Sequence, residues 1–89
     1  MILHRIRELE TKLYQCDFYL VDYYSQLNVD ELYKKKETLY KEREISQRLN
    51  KNLKNIDEVI EIVDLVMELK NLQDMYKAEG GETKGVIIG

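Results

Sequence analysis

The chain has 89 residues, 35% charged and 44% hydrophobic, and a formal net charge of −3. That composition fits one small soluble domain whose core is marginal by size and would gain from self-association. The acidic balance argues against wholesale nucleic-acid binding while leaving room for a local basic patch, and no apolar run approaches the ~18 residues of a membrane span.

The single Cys16 cannot form an internal disulfide, so a reducing, cytoplasmic setting is expected, in a cell or in a virus-infected host. The opening MILHRIREL lacks a long apolar core and a small-residue cleavage site, so it does not read as a signal peptide. The preference for Lys, Asn, Ile, Glu and Tyr points to an AT-rich microbial or viral coding genome. There is no proline, and the first glycine is Gly80. The strongest helix breakers are therefore missing from everything before it.

Ile2, Ile6, Leu9, Leu13, Cys16, Leu20, Tyr23 and Leu27 follow spacings of four and three, a heptad seam of coiled-coil type. Leu3, Tyr14, Val21 and Tyr24 widen that face. A first helix is expected from about Ile2 to Leu27, roughly 40 Å long at 1.5 Å per residue. Asn28 then has Glu31 at the spacing of a capping box, with Leu27 and Leu32 placed as a hydrophobic staple. Asp30 and Glu31 put negative charge in the new first turn, where the helix dipole favours it.

A second helix, about Val29 to Leu53, has only a thin apolar stripe of Leu32, Leu39, Ile45, Leu49 and Leu53. Its basic residues Lys34, Lys35, Lys36, Lys41, Arg43, Arg48, Lys51 and Lys54 outnumber the acids Asp30, Glu31, Glu37, Glu42 and Glu44. The asparagine-rich stretch Asn50–Asn55 weakens a helix interior. Asn55 with Glu58 repeats the capping-box spacing, so a second turn is expected here, with one continuous helix from Val29 to Ala78 as the alternative.

A third helix is expected from Ile56 to about Ala78. Val59, Ile60, Ile62, Val63, Leu65, Val66, Met67 and Leu69 crowd it, and Glu58, Glu61, Asp64 and Glu68 leave one narrow polar stripe. Such a helix must be covered on more than one side. Its acidic balance complements the basic second helix, which favours pairing the two. Gly80-Gly81 supplies a stop. Residues 80–89 read as a flexible tail, whose Val86-Ile87-Ile88 run could add a strand to a partner. The fold class expected is all-α: a three-helix bundle or long helical hairpin over residues 1–79, self-associating.

Little here points to catalysis, so the chain is expected to be non-enzymatic and to need no cofactor. His4 is the only histidine and lies at a fraying end, and Cys16 sits on an apolar seam. No Cys/His cluster has metal-ligand spacing, and no glycine-rich loop precedes a helix to hold phosphate. The seven tyrosines are the unusual feature. Tyr14, Tyr19, Tyr23 and Tyr24 crowd together with Phe18, and tyrosine suits protein interfaces.

Two surfaces follow as candidates for a protein contact: Val59, Ile62, Val66 and Leu69 on the third helix, and Tyr19, Tyr23 and Tyr24 on the first. The expected partners are a second copy of the chain and another protein, engaged by helix faces. Small phage or mobile-element regulators of host proteins share this general character. Lys34, Lys35, Lys36, Lys41 and Arg48 form the alternative, a phosphate-tracking face for nucleic acid.

Ser46-Gln47-Arg48-Leu49-Asn50 resembles the Ser-Gln-x-Leu-Asp signature of small helical phosphatases that act on aspartyl-phosphate in sporulation response regulators. The resemblance implies a third reading, phosphatase-like. It covers five residues and departs from the signature where Asn50 replaces the acidic residue, so no active-site role is carried across.

Overall fold

The computed structural model of the protein describes residues 2–78. Four helices follow one another: α1 (Ile2–Tyr14), α2 (Phe18–Ser25), α3 (Val29–Arg48) and α4 (Lys54–Ala78). Among the described residues there is no strand, and the all-α bundle expected from the helical periodicities is the observed architecture. The tail of residues 80–89, with its strand-adding Val86-Ile87-Ile88, lies outside the described residues.

The fourth of these helices is the hub. α4 is 25 residues long and packs against α1, α2 and α3, while no other pair of helices makes comparable contact. Arg5 of α1 reaches Glu68, and Cys16, just past the end of α1, feels Glu61 and Glu58. Lys36 and Arg43 of α3 pair with Asp64 and Asp57. Both helices therefore run antiparallel to α4. The core joins Ile6, Leu9 and Leu13 of α1, Val21 and Tyr24 of α2, and Leu32 of α3 to Ile62, Val63, Val66 and Leu69 of α4.

This arrangement corrects one expectation. Ile62, Val66 and Leu69 were expected to be surplus apolar surface facing a subunit or partner. They are 0%, 1% and 2% exposed within the single chain, and Val59 is half-buried against the same core. The surplus disappears because three helices cover α4 and not two.

The additional helix comes from a break in the first one. The segment expected as one helix from Ile2 to Leu27 ends at Tyr14 and restarts at Phe18. Asp17 is the cause: its carboxylate accepts the backbone N–H groups of Tyr19 (2.9 Å) and Leu20 (3.3 Å), capping α2. The break moves the buried register by one residue. Val21 and Tyr24 turn inward, and Tyr23, expected on the seam, is half-exposed.

α3 begins as expected. Asn28 accepts from the Glu31 N–H at 2.8 Å, and the Asn28 N–H donates to the Glu31 carboxylate at 3.2 Å, a reciprocal capping box. Its inner face differs from the expected stripe. Leu32, Lys36, Leu39, Arg43 and Ser46, spaced four and three apart, are buried or half-buried, whereas Ile45 and Leu49 are exposed. Lys36 and Arg43 hold core-facing positions because their long stems lie along α4 while their charges reach its carboxylates.

α3 and α4 are separate helices. The Asn50 N–H donates to the Gln47 carbonyl (3.1 Å) and the Lys51 N–H to the Ser46 carbonyl (2.9 Å), a Schellman turn. Asn50 carries the left-handed backbone that this turn requires, with φ 55°. The second capping box expected at Asn55 and Glu58 does not form. α4 begins two residues earlier than expected, at Lys54, whose N–H is taken by the Asn52 side chain at 2.8 Å. Asn50→Gly should leave stability unchanged or slightly raised, while Asn50→Val should lower it by about 1–2 kcal/mol, read from urea unfolding midpoints. Equal midpoints for the two variants would contradict the strained turn.

Candidate functional site at the helix elbow

α2 is the most apolar of the four helices, and Asp22 is its one charged residue. A helix apolar all round is normally buried all round. Here only one side is covered. Leu20, Val21 and Tyr24 turn towards the core, and Phe18, Tyr19, Asp22, Tyr23 and Gln26 face outward. Phe18 is 68% exposed and Tyr19 82%, with Tyr14 at the end of α1 exposed by 91%. The Phe18 and Tyr19 rings meet edge to face at 5.9 Å, and Tyr23 leans on buried Tyr24 at 5.0 Å. Burial, opposed by the nearby Lys35 charge, raises the Tyr24 hydroxyl above its ordinary range.

Of the three tyrosines picked out from the sequence, the structure thus puts Tyr19 and Tyr23 on the surface and Tyr24 in the core. Tyr14 and Phe18 join the exposed group. A signal for the whole elbow was present in the chain: from Leu13 to Tyr33 there is no Lys, Arg or His, while Asp17, Asp22, Asp30 and Glu31 are all acidic. Aromatic rings in a cation-free stretch are free to meet cations supplied from elsewhere.

The basic residues of α3 do not form one track. Lys34, Lys41 and Arg48 share the outward face with Ile45, at spacings of seven, four and three. Lys36 lies on the α4 side, paired with Asp64 and set over the Tyr40 ring at 5.9 Å. Lys35 lies on the flank nearest Tyr24. Arg48 is tied to Glu44 at 2.7 Å on its own helix. Lys34 and Lys41 have no carboxylate within ion-pair distance among the described residues.

Three of the six acids of α4 are occupied in holding the bundle. Asp57, Glu61, Asp64 and Glu68 recur at four, three and four along one stripe. Arg43 Nε donates to Asp57 at 2.6 Å, Lys36 meets Asp64, and Arg5 donates twice to Glu68, at 2.7 and 3.0 Å. The Arg5 hydrogen bonds hold the Glu68 carboxyl below its ordinary range. Glu61, the remaining member, helps burial to raise the half-buried Cys16 thiol, an environment that disfavours the reactive thiolate. His4 is exposed on α1. Among the described residues no group of three or more His, Cys, Asp or Glu side chains is placed to hold a metal ion.

The pentapeptide Ser46–Asn50 closes α3. In place of the signature's acid stands the residue with left-handed backbone, a conformation that asparagine tolerates well. Among the described residues no helix is long and apolar enough to cross a membrane.

The described residues thus form an all-α bundle of four helices with an aromatic elbow open to solvent. No protein-family model, curated protein or solved structure matches it.

Proposed function

We propose that the chain is a non-enzymatic protein-interaction module whose docking surface is the outer face of α2, extended by Tyr14. One observation carries this reading: the most apolar helix is covered on one side only, and its open side presents Phe18, Tyr19 and Tyr23. Tyrosine is enriched among the few residues that dominate binding energy at protein interfaces, and aromatic rings pack at small cost in side-chain entropy. The core residues of α4 lie too deep to take part. The action is occlusion or bridging of a partner by a rigid helix face. A cytoplasmic regulator encoded by a phage or mobile element, acting on a host protein, is the setting this chemistry suits.

The test is a photo-crosslinking benzoylphenylalanine in place of Tyr19, with a second chain carrying it at exposed Asn71 on α4. In the producing cell, Tyr19 should give discrete adducts that Asn71 does not. Adducts of equal yield at both positions, or none at Tyr19, would count against the elbow as a docking surface.

A further inference from the structure

The seam between α3 and α4 does not stop at the turn that joins them. On α3 the row facing α4 is Leu32, Lys36, Leu39, Arg43 and Ser46. On α4, Asp57 and Asp64 take the two cations, and Ile60 and Met67 lie on the same row. Asn50 and Leu53 belong to the turn, yet they fill the gap. From Leu32 to Met67 the spacing alternates four and three without a break. A helical hairpin needs that rhythm within each arm, but non-helical backbone resets it, so the folded chain does not require these two residues to keep the phase.

We infer that the chain has a second form, a domain-swapped dimer in which the turn straightens, α3 and α4 become one continuous helix, and α4 packs on α1, α2 and α3 of a second copy. The ion pairs select this occupant. Lys36 pairs with Asp64 and Arg43 with Asp57, and both pairs centre on residue 50. Two continuous helices laid antiparallel about residue 50 therefore remake both pairs between chains, each of them twice. The contacts of α4 with α1 and α2 are remade in the same way, and the face of α4 under α3 meets the one helix already shaped to fit it. Asn50 falls on the two-fold axis opposite its own copy. A single polar residue in such a seam fixes register at some cost in stability.

The turn is poised for the change. Asn50 holds a left-handed backbone, with φ 55°, which a helix does not ask of it. From Val29 to Ala78 there is no glycine or proline, so no residue forbids the straight path. Leu49 is 59% exposed at the end of α3, and on the straight helix it flanks the seam. Short hinges under strain invite exchange of an element between copies. Against this stand Asn50, Asn52 and Asn55, which favour turns over helix, and the entropy lost on association. The balance therefore moves with chain concentration. Cys16, next to the elbow, lies beside Glu58 and Glu61 near the start of α4, so the dimer carries two elbows close to its middle.

The experiment refolds the whole chain from urea at high and at low chain concentration and separates the products by size exclusion. High concentration should yield a dimer beside the monomer, and the two should interconvert slowly, because exchange requires α4 to leave its bundle. A Cys16→Ser chain carrying Lys36→Cys and Asp64→Cys reports the connectivity. A short bismaleimide is added to each separated species after dilution. On a denaturing gel the monomer should show a link within one chain, and the dimer a link between two. The hinge is tested at residue 50. Glycine takes the left-handed backbone freely and weakens a helix, whereas alanine does the reverse. The position occurs twice in each dimer, so the dimerisation constant of Asn50→Ala should exceed that of Asn50→Gly by at least ~100-fold.

A dimer linked only within single chains would overturn the swap, since association would then use outer surfaces with the turn intact. So would a wild-type chain that yields monomer alone at both concentrations, or equal dimerisation by the two residue-50 variants. The wild-type and crosslinking arms decide the matter even if Asn50→Ala fails to fold.

Discussion

Replacing Ile62 with alanine should lower the unfolding free energy by about 2–5 kcal/mol, the usual cost of a large-to-small change in a packed core. Ile62 has no exposed surface and sits among Val63, Val66 and Leu69 on the helix that every other helix touches. Small domains have only about 5–15 kcal/mol in total, so the loss should be visible as a large drop in urea midpoint and in melting temperature. Phe18→Ala, at a 68% exposed position, should change stability by no more than about 0.5 kcal/mol. The contrast separates core from docking surface. If Ile62→Ala cost under about 1 kcal/mol but shifted the sedimentation mass, Ile62 would belong to an interface after all.

The second large effect is expected at the elbow. Asp17→Ala removes the acceptor of two backbone N–H groups at the start of α2 and should cost about 0.5–2 kcal/mol. The loss has a local signature. Amide exchange at Tyr19 and Leu20 should quicken more than exchange in α3 or α4, because α2 is only eight residues long and cannot hold its first turn by propensity alone. Asp22→Ala is the control, since Asp22 meets only the Gln26 amide on the outer face. Equal protection of Tyr19 in the two variants would show that packing of Val21 and Tyr24, and not the cap, defines where α2 begins.

These two positions also show what could be read beforehand. The apolar crowding of α4 announced a helix covered on several sides, and it is. What periodicity could not say was how many helices do the covering, because Asp17 lies off the apolar seam. Leu13, Cys16 and Leu20 keep their four-and-three spacing across the break and hide it. Aspartate is a strong N-cap, yet neither flanking residue is a breaker, so only tertiary packing reveals the new start. The Asn28–Glu31 box was legible because the staple, the acidic first turn and the apolar pattern all agreed there. At Asn55–Glu58 the spacing stood alone, and Asn52 took the role instead.

The stripe of α3 misled for a different reason. Hydrophobicity picked out Ile45 and Leu49, while the face towards α4 is completed by Lys36 and Arg43. A long basic side chain can hold a core-facing position only if a carboxylate waits for it, and that depends on residues of another helix. The aromatic elbow was half visible. Tyrosine enrichment located it, but which rings turn outward followed from the one-residue change of register at Asp17.

One consequence follows from the hub being made after the three helices that it gathers. Arg5 and Glu68 are 63 residues apart in the chain, and the pairing of α1 with α4 spans nearly its whole described length. At ~5–20 residues per second, α1 leaves the ribosome several seconds before its partner exists. Until then Ile6, Leu9 and Leu13 have no surface to bury against, and neither do the inner faces of α2 and α3. The packing of α1 and α2 on α4 is non-local in sequence, and such contacts form more slowly than those between helices adjacent in the chain. A nascent chain stalled before α4 should be sensitive to protease along its whole length. A chain that includes α4 should become resistant in a single step, when α4 arrives and draws the other three onto itself.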